Sequence, residues 1–178
     1  MESILVLSTI LLWALVLLNL LLTLGLARRV RAAFPKIEML KVGQQAPDFT
    51  AQTLQGQAVS LADYAGRAVA FIFTSPHCQP CREQLPTLQA LKPKAEEFNV
   101  ELVMVSDANE NETRTLASEL DGSLPILIAP RERTTFIADY KATAMPSYCL
   151  VDAHGKVRAA GIGLMGLEGE IEKVAERR

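Results

Sequence analysis

The chain has 178 residues, with 18 Lys and Arg against 20 Asp and Glu, a net charge of −2. That length accommodates one domain with a sizeable core plus one appendage, and the near-neutral balance offers no basic field for nucleic-acid binding. Three cysteines are too few for a disulfide scaffold and read better as a chemical pair with a bystander.

Residues 3–27 carry no charged side chain and are dominated by Leu, Ile and Val, with Trp13 among them. As a helix this stretch rises ~37 Å, enough to cross a hydrocarbon core of about 30 Å with some tilt. It lacks the polar face of a core helix and the basic leader and small-residue cleavage site of a secretory signal. The expectation is an uncleaved single-span anchor. A basic tether succeeds it at 28–43, with Arg28, Arg29, Arg31, Lys36 and Lys41. Its first residues can prolong the helix, and Pro35 predicts a break. Counted literally, these charges place the C-terminal domain in the cytoplasm; head-group anchoring is the alternative reading of the same cluster.

From residue 44 to 178 the pattern is that of a compact α/β domain. Residues 46–49 and 58–61 flank a Leu54-Gln55-Gly56-Gln57 turn as a strand–turn–strand. Residues 68–74 (AVAFIFT) and 100–106 (VELVMVS) are continuous apolar runs of strand length, as in strands buried on both faces. Between them, 79–98 has helical spacing. Helices are expected at 110–120, 131–140 and 166–178, a short strand at 124–129, and a hairpin from 147–151 and 157–160. Strands alternating with helices imply a mixed central sheet flanked by helices.

Cys78 and Cys81 fall just after a buried-type strand, in the first turn of the next helix. Unpaired N–H groups and the helix dipole favour a thiolate there, which lowers a thiol's pKa. A partner three residues on is one turn away, near enough for a disulfide. Pro80 suits a first turn, where its missing N–H costs nothing. The arrangement supplies a nucleophile, Cys78, and a resolving thiol, Cys81. A CxxC pair also fits metal binding, but Cys149, His77 and His154 are the other soft ligands and no second CxxC is present, so no metal or cofactor is expected. Cu(I) on two thiolates and a histidine remains the alternative, as do two inert core cysteines.

With a strand before it and Pro86 five residues after its second cysteine, Cys78-Gln79-Pro80-Cys81 resembles the active-site signature of the thioredoxin fold. Ala144-Met145-Pro146-Ser147, ahead of a strand, resembles that superfamily's second signature. The resemblance implies a thioredoxin-like fold over about residues 42–175 and a helix kinked by Pro86. It also implies a cis Pro146 packed against the disulfide and a Met145 backbone offered to an extended substrate. Val42-Gly43-Gln44-Gln45-Ala46-Pro47-Asp48-Phe49, with Gly56 after it, is similar to the opening of TlpA-type and peroxiredoxin-type members. The Leu11-Leu12-Trp13 span, Leu26-Ala27-Arg28, Thr74-Ser75-Pro76 and Val105-Ser106-Asp107 resemble the methylamine dehydrogenase accessory family, MauD. That resemblance implies an inner-membrane thiol–disulfide oxidoreductase with its redox domain outside the cytoplasm, against the charge count. Its partners would be protein thiols or disulfides, including a disulfide-rich subunit under maturation, and a membrane electron-transfer protein.

The sequence also departs from these relatives. Ile72 stands where thioredoxin keeps a buried Asp, His77 where it keeps a Trp, and Gln84 where TlpA- and ResA-type reductases keep a Glu. Glu83 is adjacent but about 100° away around a helix. The customary proton acceptors for Cys81 are therefore missing, and a protonated His77 could stabilise the neighbouring thiolate. A peroxiredoxin-like peroxidase is the enzymatic alternative; Ser75 fits its hydroxyl position, whereas its proline position is Phe71. Cys149, within an apolar strand, reads as a buried inert thiol.

Overall fold

A computed structural model describes residues 1–33, 38–120, 122 and 124–176, with side chains described from 1–29, 38–120, 122 and 124–174. The chain forms two compact units, Met1–Ile37 and Glu38–Arg178. Among the described residues the first holds one helix, α1 (Glu2–Ala33), which continues through Arg28 and Arg29. Its Glu2–Arg29 stretch is long and apolar enough to cross a membrane, and its side chains are exposed throughout. The break expected at Pro35 lies outside the described residues.

The second unit holds β1 (Thr50–Thr53), β2 (Ala58–Ser60), β3 (Ala68–Thr74), β4 (Val100–Ser106), β5 (Ile126–Ile128), β6 (Ser147–Val151) and β7 (Val157–Ile162). Its helices are α2 (Gln79–Glu83), α3 (Leu85–Glu97), α4 (Glu110–Ser118), α5 (Phe136–Asp139) and α6 (Leu167–Glu176). The seven strands form one sheet in the order β2-β1-β5-β4-β3-β6-β7. Strands β3, β4 and β5 run parallel, whereas β6 is antiparallel to β3, β7 to β6, β1 to β5 and β2 to β1. This is the mixed sheet expected from the sequence.

Strand β3 is central and buried along its whole length. Its alternate residues serve two cores, as a period of two requires. Ala68, Ala70 and Ile72 belong to one cluster with Leu88, Leu116, Leu150 and Ile171. Val69, Phe71 and Phe73 face Phe49, Tyr64, Phe136 and Tyr140. On that second face Phe49 stacks on Phe136 at 3.7 Å between ring centroids, and Phe71 meets both edge-on at 5.2 and 5.4 Å, geometries favoured by the ring quadrupoles. Cys149 lies in this core opposite Phe71, and burial pushes its thiol up to about 12.

Three elements differ from the sequence reading. No strand forms at 46–49; instead Gly43 N–H donates to Val157 O and Ala46 N–H to Gly155 O, along the β7 hairpin, and Phe49 enters the core. Pro47 lacks the N–H that would extend this pairing. The helix expected over 131–140 contracts to Phe136–Asp139, because Arg133 and Thr134 N–H close a turn onto Pro130 O and the Thr134 hydroxyl accepts from Phe136 N–H. The helix expected over 79–98 is divided at Gln84. Pro86 has no N–H to give to the carbonyl of Arg82, and its ring crowds that carbonyl, which favours a break here, whereas Pro93 is accommodated within α3.

Candidate active site

The carboxyl ends of the parallel strands and the start of β6 converge at one end of the sheet. Strand β3 leads directly to Ser75-Pro76-His77-Cys78, and the turn is closed by Cys78 N–H donating to Ser75 O at 3.1 Å. Cys78 is the N-cap of α2, with extended backbone and Pro80 in the first turn. Cys81 N–H points at Cys78 Sγ from 3.2 Å. The two cysteines are joined as a disulfide with a Cα separation of 5.2 Å. Their exposure is unequal: Cys78 is half-buried, whereas Cys81 is 2% exposed. Attack from outside therefore has access to the Cys78 sulfur alone.

Met145 and Pro146 arrive from the loop before β6. Their peptide bond is cis, and Met145 O lies 3.6 Å from Cys78 Sγ. Pro146 is buried and Met145 half-buried. Pro146 O accepts from Gly163 N–H at 2.8 Å, which ties this loop to the segment after β7. Gly163 has φ of 69°, a left-handed conformation that glycine adopts without the Cβ penalty.

His77 is exposed, and its Nε2 stands 3.4 Å from Glu112 Oε1 in the first turn of α4. That turn is capped by Asn109, whose side chain accepts from Glu112 N–H. Glu83 turns back along its own helix and accepts from Gln79 Nε2 at 3.0 Å.

The two positions that lack a carboxylate are both structurally occupied. Ile72 sits in the apolar cluster opposite Tyr148. Gln84 Oε1 accepts from Leu164 N–H at 3.1 Å, a link across 80 residues that no local sequence signal announces. Gln84 also lines a 540 Å³ groove between α3 and the loop after β7, with Thr87, Leu91, Leu164 and the 94% exposed Met165. Thr74 Oγ1, at the end of β3, is buried without a hydrogen-bond partner among the described residues.

The site thus unites Cys78, Cys81, Pro80 and His77 with Met145 and Pro146 from 67 residues downstream of Cys78. Pro86 lies in the first turn of the next helix, and Cys149 lies in the aromatic core on one face of the sheet. A half-exposed sulfur bonded to a buried one, at a helix N-terminus, is an arrangement for two-electron thiol–disulfide exchange.

Comparison with known proteins agrees with this chemistry. Residues 42–160 match the AhpC/TSA family. A thiol–disulfide oxidoreductase ResA of Bacillus cereus is 31% identical over 146 residues, covering 79% of this chain and 83% of the relative. The thioredoxin-like protein YneN of Bacillus subtilis is 33% identical over 129 residues, covering 71% and 74%. Among solved structures, a thiol:disulfide interchange protein DsbE from Chlorobium tepidum superposes with a TM-score of 0.67 at 26% identity, over 76% of this chain and 99% of that one. The chain therefore belongs to the AhpC/TSA family, and within it is a thioredoxin-like thiol–disulfide oxidoreductase of the ResA/DsbE type.

Proposed function

We propose that the protein is held in the inner membrane by α1 and exchanges disulfides with protein substrates outside the cytoplasm through Cys78 and Cys81. The observation that carries this reading is the unequal exposure of the bonded pair beside the Met145 carbonyl. In the oxidising direction a substrate thiolate attacks Cys78 Sγ. The Cys78–Cys81 bond breaks, and Cys81 leaves as a thiolate that takes up a proton. A second substrate thiolate then attacks the substrate sulfur of the mixed disulfide. It releases the Cys78 thiolate and leaves the substrate oxidised by two electrons. In the reducing direction the Cys78 thiolate attacks a substrate disulfide, and Cys81 resolves the adduct by attacking Cys78 Sγ.

The roles come from position. Cys81 N–H, 3.2 Å from Cys78 Sγ, stabilises a Cys78 thiolate together with the other free N–H groups of the first turn. Pro80 holds that turn, and Pro86, in the first turn of α3, favours the break at Gln84 that ends α2. Met145 offers backbone to an extended substrate segment while Pro146 fills the space beside the sulfurs. His77, between Cys78 and Glu112, tunes the thiolate when protonated.

The resemblance to the MauD family supports a specific substrate class, a disulfide-rich extracytoplasmic enzyme subunit such as that of methylamine dehydrogenase, with a membrane electron-transfer protein resetting the pair. Turnover of a fluorogenic peptide disulfide by the reduced chain, lost in Cys78→Ser, is the expected result; equal turnover by that variant contradicts the assignment. Impermeant thiol reagents on intact cells should label the reduced pair, and labelling only after lysis would place the domain on the other side.

A further inference from the structure

From the chemistry of α1 we infer that the membrane span pairs with the span of a second copy of this chain through Asn19. This inference rests on the anchoring role proposed for α1.

Four residues between Ile4 and Ala27 carry hydroxyl or amide side chains: Ser8, Thr9, Asn19 and Thr23. At 100° per residue they fall within one sector of about 100°. Three are satisfied by their own helix. Ser8 Oγ donates to Leu5 O at 2.9 Å, Thr9 Oγ1 to Leu5 O at 2.8 Å, and Thr23 Oγ1 to Asn19 O at 2.8 Å. Asn19 differs. Its Oδ1 receives a long contact from Thr23 Oγ1 at 3.4 Å, but among the described residues nothing accepts from the two N–H groups of Nδ2.

Asn19 is nine residues from Arg28, about 14 Å along the axis, so with Arg28 at the head groups it lies near the middle of a core about 30 Å thick. A side chain this short cannot reach water from there. Leaving an amide unsatisfied in hydrocarbon is costly, and polar side chains in spans are accordingly used to join helices.

The features of α1 favour an identical helix as the partner. An amide carries both donor and acceptor, so two Asn19 side chains related by a two-fold axis satisfy each other. Copies of one chain insert with one orientation, so their Asn19 residues lie at the same depth without adjustment. Leu5, Leu12, Asn19 and Leu26 recur every seven residues, with Ser8, Leu15 and Leu22 three residues after the first three of them. This is an a/d seam with a single polar a position, the pattern that fixes register in parallel coiled coils. A dimer so formed carries two Cys78–Cys81 pairs.

The test uses the full chain. Pools tagged at the C-terminus with donor or acceptor dyes are reconstituted together in vesicles of phosphatidylethanolamine and phosphatidylglycerol, and energy transfer is monitored as protein is diluted into lipid. Wild type should show saturable transfer, and Asn19→Leu should need about 5- to 30-fold more protein per lipid for half-maximal transfer. Asn19→Gln, which keeps the amide, should stay near wild type, as should Leu21→Ala on the far side of the helix. Transfer that is absent in wild type, or equal in wild type and Asn19→Leu, overturns the pairing while leaving the anchor intact. Release of wild type from membranes by alkaline carbonate overturns the anchor and the pairing together.

Discussion

Native-state alkylation should separate the three cysteines of the reduced protein sharply, and the order can be worked from the structure. Cys149 is 1% exposed in the aromatic core, and burial holds its thiol at about 12. At pH 8 its thiolate share is then about one in 10⁴, against roughly one in four for an ordinary thiol near 8.5. Protonation alone therefore slows Cys149 about 2,000-fold relative to a free thiol, before access is considered. Cys78 is half-buried and caps a helix, which favours its thiolate. Cys81 shares the helix turn but is 2% exposed. After gentle reduction, brief iodoacetamide treatment at pH 8 and then peptide mass spectrometry should show Cys78 modified first, Cys81 later and Cys149 unmodified until the chain is unfolded. Modification of folded Cys149 within tenfold of the Cys78 rate would refute this account of the site.

The same structure sets three further outcomes. Gln84→Glu keeps an oxygen for Leu164 N–H but adds a negative charge one turn beyond Cys81, so the Cys81 thiol should ionise at higher pH in the reduced variant; an unchanged thiolate absorbance titration at 240 nm would contradict this. Stability should fall as pH rises above about 9, because burial raises Cys149 and Tyr64 to about 12 in the folded state while the unfolded chain releases those protons first. Each group contributes a slope of about 1.4 kcal/mol per pH unit while ionised only in the unfolded chain. Urea midpoints between pH 8 and 10.5 should show the decline, and Cys149→Val should flatten it. Phe136→Ala removes a fully buried ring that stacks on Phe49 and meets Phe71 and Phe73 edge-on, and should cost about 3–5 kcal/mol in urea unfolding; a cost below about 1 kcal/mol would contradict the role of this cluster.

The parts of the fold legible in the sequence were those governed by local pattern. Ala68–Thr74 and Val100–Ser106 are uninterrupted apolar runs, and both became central strands with those bounds. Cys78, Pro80 and Cys81 carry their chemistry in their spacing. Where backbone hydrogen bonds had a choice of partner, the pattern misled. Residues 46–49 precede the Gly56 turn as the first arm of a hairpin would, yet Ala46 bonds to Gly155 more than a hundred residues away. Residues 131–135 have helical composition, yet the N–H groups of Arg133 and Thr134 close a turn on Pro130. Gln84 was conspicuous in sequence for the acid it replaces, but its bond to Leu164 N–H depends on how α3 and the β7 loop meet. In α1 the apolar composition was plain. The distinct state of the Asn19 amide emerged once Ser8, Thr9 and Thr23 were seen bonding to their own backbone.

The central claim, exchange through an accessible Cys78 resolved by a buried Cys81, is tested most directly by trapping. Cys81→Ser expressed in its membrane should accumulate mixed disulfides with protein partners, visible as reducible adducts on non-reducing electrophoresis and absent from Cys78→Ser/Cys81→Ser. An absence of adducts in Cys81→Ser, or adducts that persist without Cys78, would contradict it.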